Sequence, residues 1–178
     1  MRDDLTTQHG AVWPLGIPVS QTPREVLAHL LAVQTLGVTT YIEIGVHRGG
    51  LASLMAARCI TTPLHYRGIE VDPAIVDANL FALLAVAPRA TITIGDVFAT
   101  PWLRDTLAQA HGGPALVFCD GGDKPRELAL AAPLLRPGDY LLVHDVGREV
   151  HPADFPALPQ LTPAWLDDTA LALFRRPR

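Results

Sequence analysis

The sequence predicts a doubly wound α/β domain with a mostly parallel sheet, and three observations carry that prediction. Strand-like runs alternate with helical segments of about ten to fifteen residues, the pattern of a parallel sheet covered by helices. The runs at 115–119 and 140–143 are nearly all apolar, as strands buried on both faces must be. The strand-like runs end on acidic or glycine residues, at the edge where such sheets bind ligands. A chain of 178 residues, 49% hydrophobic and 18% charged, is enough for a single domain with a buried core. That composition excludes wholesale disorder.

Each element has a local reason. Residues 1–19 lack periodicity and carry Pro14, Gly16 and Pro18, so they are read as an N-terminal arm or lid, with the folded domain over 20–178. Thr22-Pro23-Arg24-Glu25 is a helix start: Thr22 caps, Pro23 suits the first helical position, and Glu25 reaches back to the cap. Leu27, Leu30, Leu31 and Gln34 would share its inner face, and Gly37 ends it. Residues 39–46 form the first strand, 49–59 a helix, and 65–72 the second strand. Asp72-Pro73 would cap a helix to residue 86, and 90–96 form the third strand. Thr100-Pro101 would cap a helix to 110, and 114–120 form the fourth strand. A helix follows over 125–135, disturbed by Pro133, and 139–146 form the fifth strand. The proline-rich stretch 152–163 reads as a connection, Thr162-Pro163 opens a short helix, and 169–176 form the last strand.

Composition narrows the function classes. Fourteen Lys and Arg against eighteen Asp and Glu give a net charge of −4, which argues against a sequence-independent nucleic-acid binder. Cys59 and Cys119 lie in apolar runs, which fits a reducing cytoplasm better than a disulfide framework. No stretch reaches the roughly 18 continuous apolar residues of a membrane span. The polar N-terminus does not read as a secretory signal.

Three motifs follow strands one, two and three in order. In E-I-G-V-H-R-G-G at 43–50, Gly45 and Gly49 allow a sharp strand-to-helix turn and close approach to a ligand. His47 occupies the middle glycine's place in the dinucleotide fingerprint, and Glu43 favours a cationic or amine-bearing ligand over a phosphate. In G-I-E-V-D at 68–72, Glu70 can accept from both ribose hydroxyls of a nucleoside, while Asp72 has a competing role as a cap. In G-D-V at 95–97, Asp96 can accept from an exocyclic amine or cap a helix.

Taken together, these motifs resemble class I S-adenosylmethionine-dependent methyltransferases over roughly residues 20–176. The resemblance implies a Rossmann-like methyltransferase fold. It also implies a cofactor site in which Glu43, Gly45 and Gly49 line the methionine end, Glu70 holds the ribose, and Asp96 with Val97 meets the adenine; His47 departs from the family pattern and, as a further cofactor-binding residue, widens or polarises the loop between the two glycines.

F-C-D-G-G-D-K at 118–124 and R-P-G-D-Y-L-L-V-H-D-V at 136–146 resemble one branch in particular, the metal-dependent small-molecule O-methyltransferases. That branch includes catechol-type, macrolide-sugar and cephalosporin-hydroxylase-like members. The resemblance implies that Asp120, His144 and Asp145 hold a divalent cation, with Asp120 also bordering the cofactor's sulfur. Histidine at 144 leaves magnesium and softer ions as alternatives, and capping or core-edge roles remain open for His144 and Asp145. The base is either Asp123 or Lys124, unless both belong to a solvated helix start.

The expected activity is therefore methyl transfer from S-adenosylmethionine to a hydroxyl of a small molecule, with metal assistance. A homo-oligomer that completes the site is left open. The alternatives are a nicotinamide-dependent oxidoreductase and a non-catalytic nucleoside-binding relative of the same fold.

Overall fold

The computed structural model describes residues 16–110 and 112–178. Residues 1–15 of the expected arm lie outside the described residues. Of its last residues, Ile17 and Val19 are buried, and a Cβ on Gly50 would lie 2.3 Å from the Pro18 carbonyl oxygen, while Gly16 is exposed.

Among the described residues, seven strands form one sheet in the order β3-β2-β1-β4-β5-β7-β6. The parallel part comprises β1 (Thr40–Ile44), β2 (His65–Glu70), β3 (Ala90–Ile94), β4 (Ala115–Cys119) and β5 (Tyr140–Val143). The closing strand β7 (Ala172–Arg175) runs antiparallel to β5, and β6 (Gln160–Leu161) pairs with β7. Side chains alternate across the sheet, as the strand period requires. Tyr41, Leu116, Phe118 and Leu142 enter one core; Ile42, Val117, Leu141 and Val143 enter the other.

Helices cover both faces. On one lie α1 (Pro23–Thr35), α2 (Gly50–Thr61) and α3 (Ala78–Val86), through residues such as Ala32, Met55 and Leu80. On the other lie α4 (Trp102–Gln109) and α5 (Lys124–Ala131), through Leu103, Leu107 and Leu128. The order reverses between β1 and β4, which is the switch point where a ligand crevice opens beyond the strand ends. Among the described residues no helix is long and apolar enough to cross a membrane.

Four local expectations are corrected. The inner face of α1 is Val26, Ala28, His29, Ala32 and Val33, while Leu27 is 53% exposed. Buried His29 sets this rotation: its Nδ1 lies 2.7 Å from the Tyr41 hydroxyl and its ring packs edge-on against Phe118. Helix α3 starts at Ala78 with Asp77 as cap; Asp72 instead accepts from the Ala74 N–H and closes the preceding turn. Thr100 does not cap α4, because its hydroxyl donates to the Asp96 carbonyl, and α4 has no side-chain cap. The proline-rich connection carries the short strand β6, whose pairing partner β7 comes later in the sequence.

Candidate functional site

The chain turns sharply after β1. Gly45 has φ +86°, and a Cβ there would meet the Gly121 Cα at 2.6 Å and the Asp120 carbonyl oxygen at 2.7 Å. The loops after β1 and β4 therefore touch backbone to backbone, which only glycine permits. His47 also has positive φ, at 52°. Its N–H donates to Glu70 Oε2 at 2.7 Å, and the N–H groups of Val71 and Asp72 donate to Oε1 at 2.8 and 3.1 Å. Glu70 thus ties the end of β2 to the loop after β1.

The strand ends open into a cavity of about 910 Å³, near the upper end of the usual range for small-molecule sites. Each expected cofactor residue lines it: Glu43, Gly45, His47 and Gly49 from the first turn, Glu70 from β2, and Asp96, Val97 and Asp120 from the next two strand ends. Asp96 also accepts from the Phe98 N–H at 2.8 Å, so it closes its own turn. Glu43 is buried, and burial pushes its carboxyl up to about 8 despite the hydrogen bond donated by the Tyr66 hydroxyl. The negative charges of Asp120 and Glu70 push the same way, so a cation placed beside Glu43 would favour its ionised form.

Beyond β4 and β5 the residues form a charge network. Asp120, His144 and Asp145 each offer a donor atom within 4.8 Å of the others. In this arrangement His144 bridges two carboxylates: Nδ1 donates to Asp120 Oδ1 and Nε2 to Glu25 Oε1, both at 3.1 Å. Burial lowers the affinity of this imidazole for its proton, but the hydrogen bonds to Asp120 and Glu25 and the charges of Asp120 and Asp145 overcome it and raise His144 to about 10. Burial likewise pushes Glu25 up, yet the bonds from His144, Thr22 and Ala170 hold it down to about 2. Burial raises Asp120, partly offset by His144 and Lys124. The second oxygen of Asp120 accepts from the Gln21 amide at 2.6 Å.

The two proposed bases are placed differently. Asp123 lines the cavity and caps α5, accepting from the Arg126 N–H at 3.3 Å. Lys124 is buried and is not among the residues lining the cavity. Its ammonium contacts Glu149 Oε2 at 2.8 Å, Asp145 Oδ2 at 3.0 Å, the Gly121 carbonyl oxygen at 3.1 Å and Asp120 Oδ1 at 3.7 Å. Burial disfavours the charge, but the hydrogen bonds to Glu149 and Asp145 and the charge of Asp120 outweigh this and raise the lysine.

Sequence reasoning missed Glu25, Gln21, Glu127 and Glu149. Glu25 does close the capping box with Thr22, accepting from the Thr22 N–H at 2.8 Å, but its other oxygen serves His144. Buried Glu127 accepts from the N–H groups of Gly121 and Asp123 and holds the loop after β4; burial raises it to about 7. Glu149 returns to Lys124 through a turn that begins at Asp145, whose φ is 58°, and passes through Gly147, whose φ is 86°.

Comparison with known proteins places this architecture. No protein-family model and no curated protein matches the sequence. Solved structures do match. The chain superposes on the SAH structure of cmcI with a TM-score of 0.67 at 18% identity, covering 96% of this chain and 84% of that one. A putative O-methyltransferase from Klebsiella pneumoniae gives 0.63 at 22% identity, with 92% and 85% covered. The O-methyltransferase TomG from Streptomyces achromogenes, involved in tomaymycin synthesis and solved with SAM, gives 0.63 at 21% identity, with 92% and 83% covered. The chain has the Rossmann-like methyltransferase fold.

Proposed function

We propose that the protein transfers a methyl group from S-adenosylmethionine to a hydroxyl oxygen of a small molecule. The observation that carries this reading is the ordered set Glu43–Gly49, Glu70 and Asp96 at successive strand ends of one cavity, in a fold shared with structures bound to SAM or SAH. The rival nicotinamide reading would need a pyrophosphate seat. The turn after β1 instead offers His47 and the buried carboxyl of Glu43.

S-adenosylmethionine supplies an electrophilic methyl when bound; the C–S bond breaks, the C–O bond forms, and the acceptor gives up its hydroxyl proton. In our reading Glu70 holds the ribose, Asp96 and Val97 border the adenine, and Glu43 and Asp120 face the positive end of the cofactor. Asp123 takes the acceptor proton, because it lines the cavity and Lys124 does not. Asp120, His144 and Asp145 would hold a divalent ion, with His144 giving up one ring proton to offer a nitrogen lone pair; the oxygen, nitrogen and oxygen donors converge closely enough. Such an ion, when bound, would lower the pKa of the acceptor hydroxyl and orient it. The two buried free cysteines fit a cytoplasmic setting.

The test is transfer of labelled methyl to a panel of phenols, sugars and hydroxylated natural products, with and without added magnesium or manganese. Product with at least one acceptor, and a loss of about 10²-fold or more in Asp123→Asn, is the expected result. Absence of transfer across the panel under every metal condition contradicts the proposal.

A further inference from the structure

We propose that Lys124 is a tethered cation that competes with a divalent ion for Asp120 and Asp145, and so sets the metal affinity of this centre. The inference rests on the reading that Asp120, His144 and Asp145 hold such an ion. Its starting point is geometric. The Lys124 ammonium sits 3.0 Å from Asp145 Oδ2 and 3.7 Å from Asp120 Oδ1, on carboxylates that a metal would use. A divalent ion binds carboxylate oxygens at about 2.0–2.6 Å. Ion and ammonium on the same oxygen would be close neighbours of like charge, and a buried setting screens that repulsion weakly.

The lysine is built into this place. An ammonium has three donors, and this one finds three acceptors at 2.8–3.1 Å in Glu149, Asp145 and the Gly121 carbonyl. It enters from the first turn of α5, and its side chain is only 5% exposed. Lys124 is also the only lysine in the chain, against thirteen arginines. A compact point charge fits among these acceptors where a planar guanidinium fork would not. Glu149, with 44% of its side chain exposed, gives the ammonium a second anchor. When metal enters, Lys124 gives up Asp145 and stays on Glu149; when metal leaves, the ammonium returns to Asp145.

Two measurements on the full chain test this. The first is calorimetric titration of manganese into wild type and Lys124→Met, each checked for folding by circular dichroism. Affinity at least tenfold higher in Lys124→Met is expected; equal or weaker binding by a folded variant overturns the competition. The second uses wild type alone. Because there is one lysine, acylation at Lys124 can be followed by peptide mass spectrometry. Saturating magnesium should speed it several-fold by displacing the ammonium from Asp145 towards the exposed Glu149, and an unchanged rate at saturation overturns the proposal. If wild type binds manganese and these expectations fail, only the competition falls. If neither protein binds manganese, the metal reading falls and the competition with it.

Discussion

His144 stands between carboxylates from distant parts of the chain, Glu25 at the start of α1 and Asp120 at the end of β4. Its proton is held to about 10 against an ordinary 6.5, so it stabilises the fold fully below about 6.5 and ceases to do so as pH rises through 10. Glu25, held at about 2 against an ordinary 4.5, stabilises above 4.5 and loses that contribution only as pH falls through 2. The raised carboxyls of Glu43, near 8, and Glu127, near 7, also bind more protons in the folded chain than in the unfolded one. His144, Glu43 and Glu127 therefore act in one direction: the melting temperature should fall as pH rises from 6.5 to 10. Glu25→Gln removes one of the three carboxylates that raise His144 and should flatten this slope. Thermal melts across that range check it; a melting temperature that rises towards pH 10 in wild type contradicts the assignment. Little of this pairing is legible in the sequence. Thr22 and Glu25 read plainly as a capping box, but a local motif does not reveal that the second carboxylate oxygen faces a histidine 119 residues away.

At the scale of elements, the site is a set of strand ends brought together by their turns. Gly45 and Gly37 both have positive φ, at 86° and 65°, but only Gly45 faces another backbone within 3 Å; nothing lies within 4 Å of a Cβ at Gly37. Gly37→Ala should cost about 1–2 kcal/mol, the left-handed penalty alone. Gly45→Ala should cost clearly more, because the loop after β4 must also move. Urea denaturation of both variants measures the difference, and equal losses would show that the contact between the two loops is unimportant. The glycine itself was legible at residue 45, since the motif demands a turn there. Its neighbour across the sheet was not, because β1 and β4 become adjacent only through topology. Helix boundaries show the same limit. Asp72-Pro73 and Thr100-Pro101 carry capping residue types, yet Asp72 closes a turn of its own and Thr100 donates back to Asp96.

At the scale of the molecule, β4 and β5 were legible because burial on both faces leaves a nearly all-apolar run, whereas β3, exposed along much of its length, was legible from its alternation with helical segments. The strand β6 was not, since two residues carry no period and its partner lies further along the chain. The proposed activity needs one cavity at the switch point of the sheet, lined by Glu43, Glu70, Asp96 and Asp120 from four successive strand ends. Its most direct test is calorimetric titration of S-adenosylhomocysteine and NAD into wild type and Glu70→Ala. Wild type is expected to bind S-adenosylhomocysteine with little affinity for NAD, and Glu70→Ala to lose about 1.5–3 kcal/mol, the scale of hydrogen bonds to a charged group. NAD binding as tightly as S-adenosylhomocysteine, or unchanged S-adenosylhomocysteine affinity in Glu70→Ala, would contradict it.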